Sequence, residues 1–182
     1  VAQAVTVNVL NELGAQIYVG TSQADDKIVP DNGGAVMGDG DDIIEGGAGN
    51  DTFNVDSGTD TIADLSGGDV VITTTGANVN ATVTAAWTAT SSTVNADIYS
   101  DFVITSAGYT VNAAAAGSGG GFTITGTGST GMALTGSGYA DSITGGSGND
   151  TIVGGAGTDT IIGGAGDKKA VDARVAQNSP TK

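Results

Sequence analysis

The chain has 182 residues, of which 32 are glycine, whereas aromatic side chains are scarce, with three Phe, one Trp and four Tyr. Its net charge of −15, from 20 acidic and five basic residues, argues against binding to nucleic acid or insertion into an anionic membrane surface. Because the chain has no His and no Cys, catalytic triads, thiol nucleophiles and histidine zinc sites are excluded within it, and we expect no enzyme.

The chain begins with a lead-in, residues 1–17, that we expect to form a strand, followed by a first array of repeats over residues 18–72. In this array four nonapeptides follow one another without a gap: MGDGDDIIE, GGAGNDTFN, VDSGTDTIA and DLSGGDVVI. Each has aspartate at position six and an apolar residue at position eight. The position-six residues are Asp42, Asp51, Asp60 and Asp69, and a degenerate first repeat, GTSQADDKI, adds Asp26.

Residues 73–121 are rich in Thr and Ala and alternate between apolar and polar side chains, a pattern that is typical of strands. This spacer continues the solenoid into the second array or forms a separate small β-sandwich. Its aromatic residues Trp87, Phe102 and Tyr109 are those of a core or of a carbohydrate-binding platform, and the strand-rich setting favours the core.

A second array occupies residues 122–167 and repeats the same nonapeptide as GSGYADSIT, GGSGNDTIV and GGAGTDTII. Its position-six residues are Asp141, Asp150 and Asp159. The array ends in GGAGDK, where Lys168 stands in place of the expected aspartate after Asp167. The remaining segment, 168–182, holds four of the five basic residues and is predicted to be a disordered tail.

The nonapeptide has too little apolar surface to fold by burial alone. Only the three residues around position eight can be strand, and the glycines at positions one, two and four permit the positive φ of tight turns. Ordering each residue costs about 1–2 kcal/mol of backbone entropy, whereas burying one position-eight side chain returns about 1.5–3 kcal/mol. Carboxylates and backbone carbonyls are the ligands that Ca²⁺ prefers, so a calcium ion is the predicted additional source of stability.

Two nonapeptides should form one coil, which places each turn against the turn 18 residues later, with calcium between them. Asp42 then pairs with Asp60, Asp51 with Asp69 and Asp141 with Asp159, while Asp150 faces the loop that ends at Asp167. The full set of predicted calcium-site residues comprises the aspartates and the glycines that shape their turns: Asp26, Asp42, Asp51, Asp60, Asp69, Asp141, Asp150, Asp159, Asp167, Gly38, Gly40, Gly47, Gly49, Gly58, Gly146, Gly148, Gly155 and Gly157.

The motif G-G-x-G-x-D followed by x-apolar-x, as in GGAGNDTFN and GGSGNDTIV, resembles the RTX (repeat-in-toxin) calcium-binding family. This resemblance implies an all-β fold, a parallel β-roll with calcium between stacked turns. It also implies export through a type I secretion channel and folding on contact with extracellular calcium.

These features together predict a calcium-binding structural β-solenoid in a secreted bacterial cell-surface protein, such as a surface layer, filament or adhesin. The expected partners are calcium ions and copies of the chain or other surface components. The alternative is the calcium-binding module of a secreted protease or lipase whose catalytic domain lies outside this chain. The start lacks the charged region of a signal peptide, so we expect a mature form or an excised segment.

Overall fold

The structure, a computed structural model, describes residues 17–19, 41, 43–46, 49–55, 58–96, 98–99, 101–117, 119–166 and 169–171. Strands are the only regular elements in these ranges, so the described part contains no helix that could span a membrane. The strands within them are β1 Ile17–Val19, β2 Ile43–Glu45, β3 Thr52–Val55, β4 Gly58–Gly67, β5 Val70–Thr73, β6 Ala77–Thr88, β7 Phe102–Ser106, β8 Val111–Asn112, β9 Thr123–Gly126, β10 Ala133–Thr135, β11 Ser142–Thr144, β12 Thr151–Val153, β13 Thr160–Ile162 and β14 Lys169–Val171.

Consecutive nonapeptides lie on opposite faces of the molecule. In the second array β11 pairs with β9 and β13, whereas β12 pairs with β10 and β14, so the strands alternate between two parallel ladders. All pairings between the described strands are parallel. The predicted all-β parallel solenoid, with two nonapeptides per coil, is therefore confirmed.

The coils differ in length along the chain. Within the arrays, Ile44 pairs with Ile62 and Ile143 with Ile161, each 18 residues apart. Between the arrays the same ladder continues through Ala81, Ile104 and Ile124, and contacts between neighbouring coils there span up to 26 residues. The longer coils accommodate the long strands β4 and β6, and the register between these two strands shifts after Ile62.

The Thr/Ala-rich spacer is thus built into the same sheet as the arrays. β6 pairs with β4 on one side and with β7 and β8 on the other, and β7 pairs with β9. This is the continuous-solenoid arrangement and not a separate sandwich, because a sandwich would join its strands in antiparallel pairs.

The core is a narrow stack of side chains between the two faces. The position-eight residues Ile44, Phe53, Ile62, Val71, Ile143 and Ile152 are all fully buried. The largest buried side chain, that of Trp87, lies in the spacer, and Phe102 of the spacer packs edge to face against Phe122 at the start of the second array, with ring centroids 4.8 Å apart. The apolar core is therefore thickest between the arrays and thinnest within them.

At the ends of the chain, residues 1–16 and 172–182 lie outside the described residues, and with them most of the predicted lead-in and tail. Ile17–Val19 pairs with β2. Lys169–Val171 pairs with β12, so the ladder extends into the segment that the sequence assigns to the tail. Position eight of this last strand is Ala170, which pairs with Ile152.

Candidate metal site

The described position-six aspartates lie on two edges of the solenoid, directly before the strands, except for Asp60, which lies within β4. Their burial is unusual for carboxylates: Asp60 is 0% exposed, and the most exposed of the described set, Asp159, is 8% exposed. The other buried members of the set are Asp51, Asp69, Asp141 and Asp150. Acidic side chains are seldom buried unless they are paired. These carboxylates therefore need hydrogen-bond donors or a bound cation to compensate for the loss of hydration.

Four of these carboxylates, those of Asp69, Asp141, Asp150 and Asp159, accept hydrogen bonds from the preceding coil. The backbone N–H of Asp51 donates to Oδ1 of Asp69 at 2.9 Å, and the N–H of Asp141 donates to Oδ1 of Asp159 at 3.0 Å, both across 18 residues. The structure therefore brings together two of the predicted pairs. It joins them through carboxylate and backbone, whereas the expected arrangement was of two carboxylates that face one another.

The same carboxylates also close their own turns. Oδ2 of Asp69 accepts the backbone N–H of Ser66 at 2.7 Å, and Oδ2 of Asp141 accepts that of Ser137 at 2.6 Å. Burial nevertheless raises the pKa of both Asp69 and Asp141 above 3.8, because desolvation of the charged form outweighs these hydrogen bonds. A bound cation would favour the charged form again and relieve this cost.

Asp159 provides a buried carboxylate oxygen that has no hydrogen-bond partner within the described part of the chain. Its Oδ1 is held by Asp141, but its Oδ2 is buried and has no hydrogen-bond partner among the described residues. A buried polar atom of this kind is rare in folded proteins, and a carboxylate oxygen in that position is a suitable ligand for a hard cation.

Backbone carbonyls of one coil face the glycines of the next. A Cβ on Gly157, which has a φ of +109°, would lie 2.6 Å from the carbonyl oxygen of Tyr139. A Cβ on Gly155, with a φ of +105°, would overlap the carbonyl oxygen of Ser137. Gly146 and Gly148 approach the carbonyls of Gly128 and Thr130 in the same way. The glycines at positions two and four thus line each inter-coil gap with carbonyl oxygens.

The glycine at position one has a separate role that the predicted set of site residues omits. A Cβ on Gly145 would lie 2.7 Å from Oδ2 of Asp150, and one on Gly46 would lie 2.6 Å from Oδ2 of Asp51. A Cβ on Gly154 would overlap Oδ2 of Asp159. The signal for this role was present in the sequence, because glycine opens most of these repeats, but only the folded turn shows that it packs on its own carboxylate.

For the remaining predicted site residues the structure gives the backbone conformation of two glycines. Gly58 lies in β4 with a φ of +109°, and Gly49 lies in a bend with a φ of +140°. The rest of the predicted set lies outside the described residues: Asp26, Asp42, Asp167, Gly38, Gly40 and Gly47. The described residues contain no group of three or more acidic side chains, so an ion between these turns would need carbonyl oxygens to complete its ligands.

The model of the RTX calcium-binding nonapeptide repeat matches the chain in four copies, over residues 38–62 and 135–167. These two segments belong to the RTX repeat family. No curated protein and no solved structure matches the chain. The RTX match coincides with the turns that bury aspartate, and the donor set there, carboxylates with carbonyls over glycine, fits a calcium ion.

The RTX pattern is interrupted between the two segments by apolar residues at position six. On one edge, the residues that occupy this position in successive coils are Val79, Phe102 and Phe122, and on the other edge Met132 does so. The backbone N–H groups of Phe122 and Met132 still donate to the aspartates of the next coil, Asp141 and Asp150, at 2.7 and 2.9 Å. The turn geometry therefore persists where the carboxylate is missing.

Proposed function

We propose that this chain is a calcium-binding structural segment of a secreted bacterial cell-surface protein, and that its RTX arrays fold when they meet extracellular calcium. The observation that carries the proposal is the burial of position-six carboxylates in stacked turns, with Oδ2 of Asp159 enclosed and unpaired among the described residues. In this proposal the ligands in each gap are position-six carboxylates and the carbonyl oxygens over the glycines of positions two and four.

An extracellular location follows from the expected strength of these sites. Calcium modules of extracellular proteins bind with dissociation constants of about 10⁻⁴–10⁻³ M, so they are filled only where calcium is abundant. The cysteine-free and strongly acidic composition suits such a setting, since the excess of carboxylates is balanced there by divalent cations. Before export, when calcium is scarce, the repulsion between stacked carboxylates would keep the arrays unfolded.

A structural role is supported by the shape of the molecule. The described strands form a parallel sheet of twelve strands and a second one of β3 and β5, stacked coil upon coil, which is an architecture suited to extended surface layers and filaments. The alternating coils present long outer faces for contact with copies of the chain or with other surface components.

The test is a calcium titration of the full chain followed by far-ultraviolet circular dichroism. We expect a cooperative gain of β signal with calcium, and a much weaker response to magnesium, whose small octahedral shell suits these turns poorly. Asp159→Asn should shift the calcium midpoint at least tenfold, whereas Glu45→Gln, at an exposed acid on β2, should leave it unchanged. An identical spectrum in calcium and in excess chelator would refute the proposal.

A further inference from the structure

A cavity of about 410 Å³ lies where the long coil that follows β6 meets the first turn of the second array. Its wall includes Asn95, Asp101, Gly121, Tyr139 and Asp141. The coil is longest here, and Ala96 reaches back 23 residues to bond to Thr73. In the coil before Asp141, position six is Phe122, so this gap is not one that two RTX aspartates share.

Asn95 lines this cavity and has a side-chain oxygen with no bonding partner among the described residues. It is 2% exposed, and its Oδ1 has no hydrogen-bond partner among the described residues. Its Nδ2 donates to the carbonyl oxygen of Gly121 at 2.6 Å, so the amide cannot exchange its two ends without losing that bond. A buried amide oxygen fixed in this way requires a donor or a cation.

The groups around Asn95 are oxygen acceptors. A Cβ on Gly119 would overlap the backbone oxygen of Asn95, and a Cβ on Gly121 would overlap that of Ala140 and lie 3.0 Å from Oδ1 of Asp141. The absence of side chains at these glycines brings carbonyls and a carboxylate together. Asp101 adds a second carboxylate at the solvent side of the cavity.

An ion suits this arrangement better than an organic ligand. Oδ1 of Asn95 exposes less than 1 Å² of surface, so a sugar hydroxyl has little access to it. Ca²⁺ approaches its oxygen ligands to about 2.3–2.6 Å, closer than a hydrogen-bond donor, and accepts amide, carbonyl and carboxylate oxygens together. The net charge of −15 also raises the local concentration of cations around the chain.

The geometry points to a calcium site in this cavity, separate from those between paired RTX turns, with Asn95 and Asp101 among its ligands. An ion there ties the long coil, which ends at Asp101, to the first turn of the second array. It stabilises the junction at which the turn of Asp141 stacks on a coil that has Phe122 at position six.

The test counts bound calcium on the full chain by native mass spectrometry and measures its affinities by calorimetry. We expect Asn95→Leu to bind one ion fewer than the wild type, whereas Asn80→Leu, the same change at an exposed position of β6, keeps the full number. Asp101→Asn should weaken one site at least tenfold, and Glu45→Gln, a matched loss of one exposed charge, should weaken none.

If Asn95→Leu does not fold, Asp101→Asn decides the matter, because an exposed side chain can be changed without loss of the core. Wild-type ion number and affinities in both variants overturn the inference and leave the RTX sites intact. A wild-type chain that binds no calcium at all overturns the proposed function instead, and this inference with it.

Discussion

The RTX arrays and the central block, residues 77–132, share one solenoid but are stabilised in different ways. At position six the arrays bury carboxylates such as Asp69 and Asp159, and the central block buries apolar side chains such as Phe102. At the boundary, the indole Nε1 of Trp87 donates to the carbonyl oxygen of Asp69 at 2.9 Å, which joins the two kinds of coil. The difference teaches that one backbone geometry accommodates either buried carboxylates or buried apolar side chains at a single repeat position.

The largest expected effect is that of removing calcium. In chelator the arrays should lose their strands, while the central block should keep them, because burial of its apolar side chains does not depend on an ion. Trp87 is the single tryptophan, is fully buried and lies in the central block, so its fluorescence should stay at short wavelength. Hydrogen exchange should show fast amides in β11–β13 and slow ones in β6 and β7. A shift of the Trp87 emission to that of the urea-unfolded chain would show that the block has no stability of its own.

The second effect is the loss of a core aromatic in the central block. Phe102→Ala should destabilise the chain by about 3–5 kcal/mol, because it removes a buried ring and leaves a cavity against Phe122. The loss should be similar in calcium and in chelator, as measured by urea unfolding followed through Trp87. Tyr99→Ala, at a residue 89% exposed, is the control and should change little. A loss seen only in calcium would mean that the two regions do not differ as described.

The third effect is that of a methyl group added inside an RTX turn. Gly154→Ala should destabilise the array by about 1–3 kcal/mol, because the new Cβ overlaps the carboxylate of Asp159. Gly138→Ala is the matched control, since a Cβ there meets no atom within 4 Å. The calcium midpoint in circular dichroism should rise for the first variant and stay constant for the second. Equal midpoints would argue that the carboxylate does not occupy this position in the ion-bound state.

The smallest effect is on pH dependence in the absence of calcium. Burial raises the pKa of Asp69 and Asp141 above 3.8 in the folded chain, so the folded state holds more protons than the unfolded state in the range above that value. In chelator the unfolded arrays should therefore regain strand structure as the pH falls, and should lose it again as the pH rises through the folded pKa values of these two groups. Circular dichroism in chelator at several pH values measures this, and a loss of strand signal on acidification would contradict it. In excess calcium the trend should reverse, because protons compete with the ion.

Much of the arrays could be predicted from the sequence. The nine-residue period fixes which residues are strand and which are turn, since only the residues around position eight can be buried and only glycine adopts the turn conformations at low cost. The pairing of Asp51 with Asp69 and of Asp141 with Asp159 followed from two repeats per coil. The sequence did not predict that the two aspartates are joined by a bond from the backbone N–H of one to Oδ1 of the other. The position of that N–H depends on how the coils stack.

The sequence by itself determined the repeat and the parallel solenoid, because both follow from local chemistry within nine residues. Only the tertiary structure decided which residues align between the arrays. The coils there differ in length, so no fixed period in the sequence shows that Val79, Phe102 and Phe122 occupy the same position in successive coils. The tertiary structure also decided the burial of Asn95, which depends on residues of a later coil. The physical reason is that the glycines and the aspartate that form a turn lie within one nonapeptide. Packing between two coils depends instead on the number of residues in each coil, which the nonapeptide does not specify.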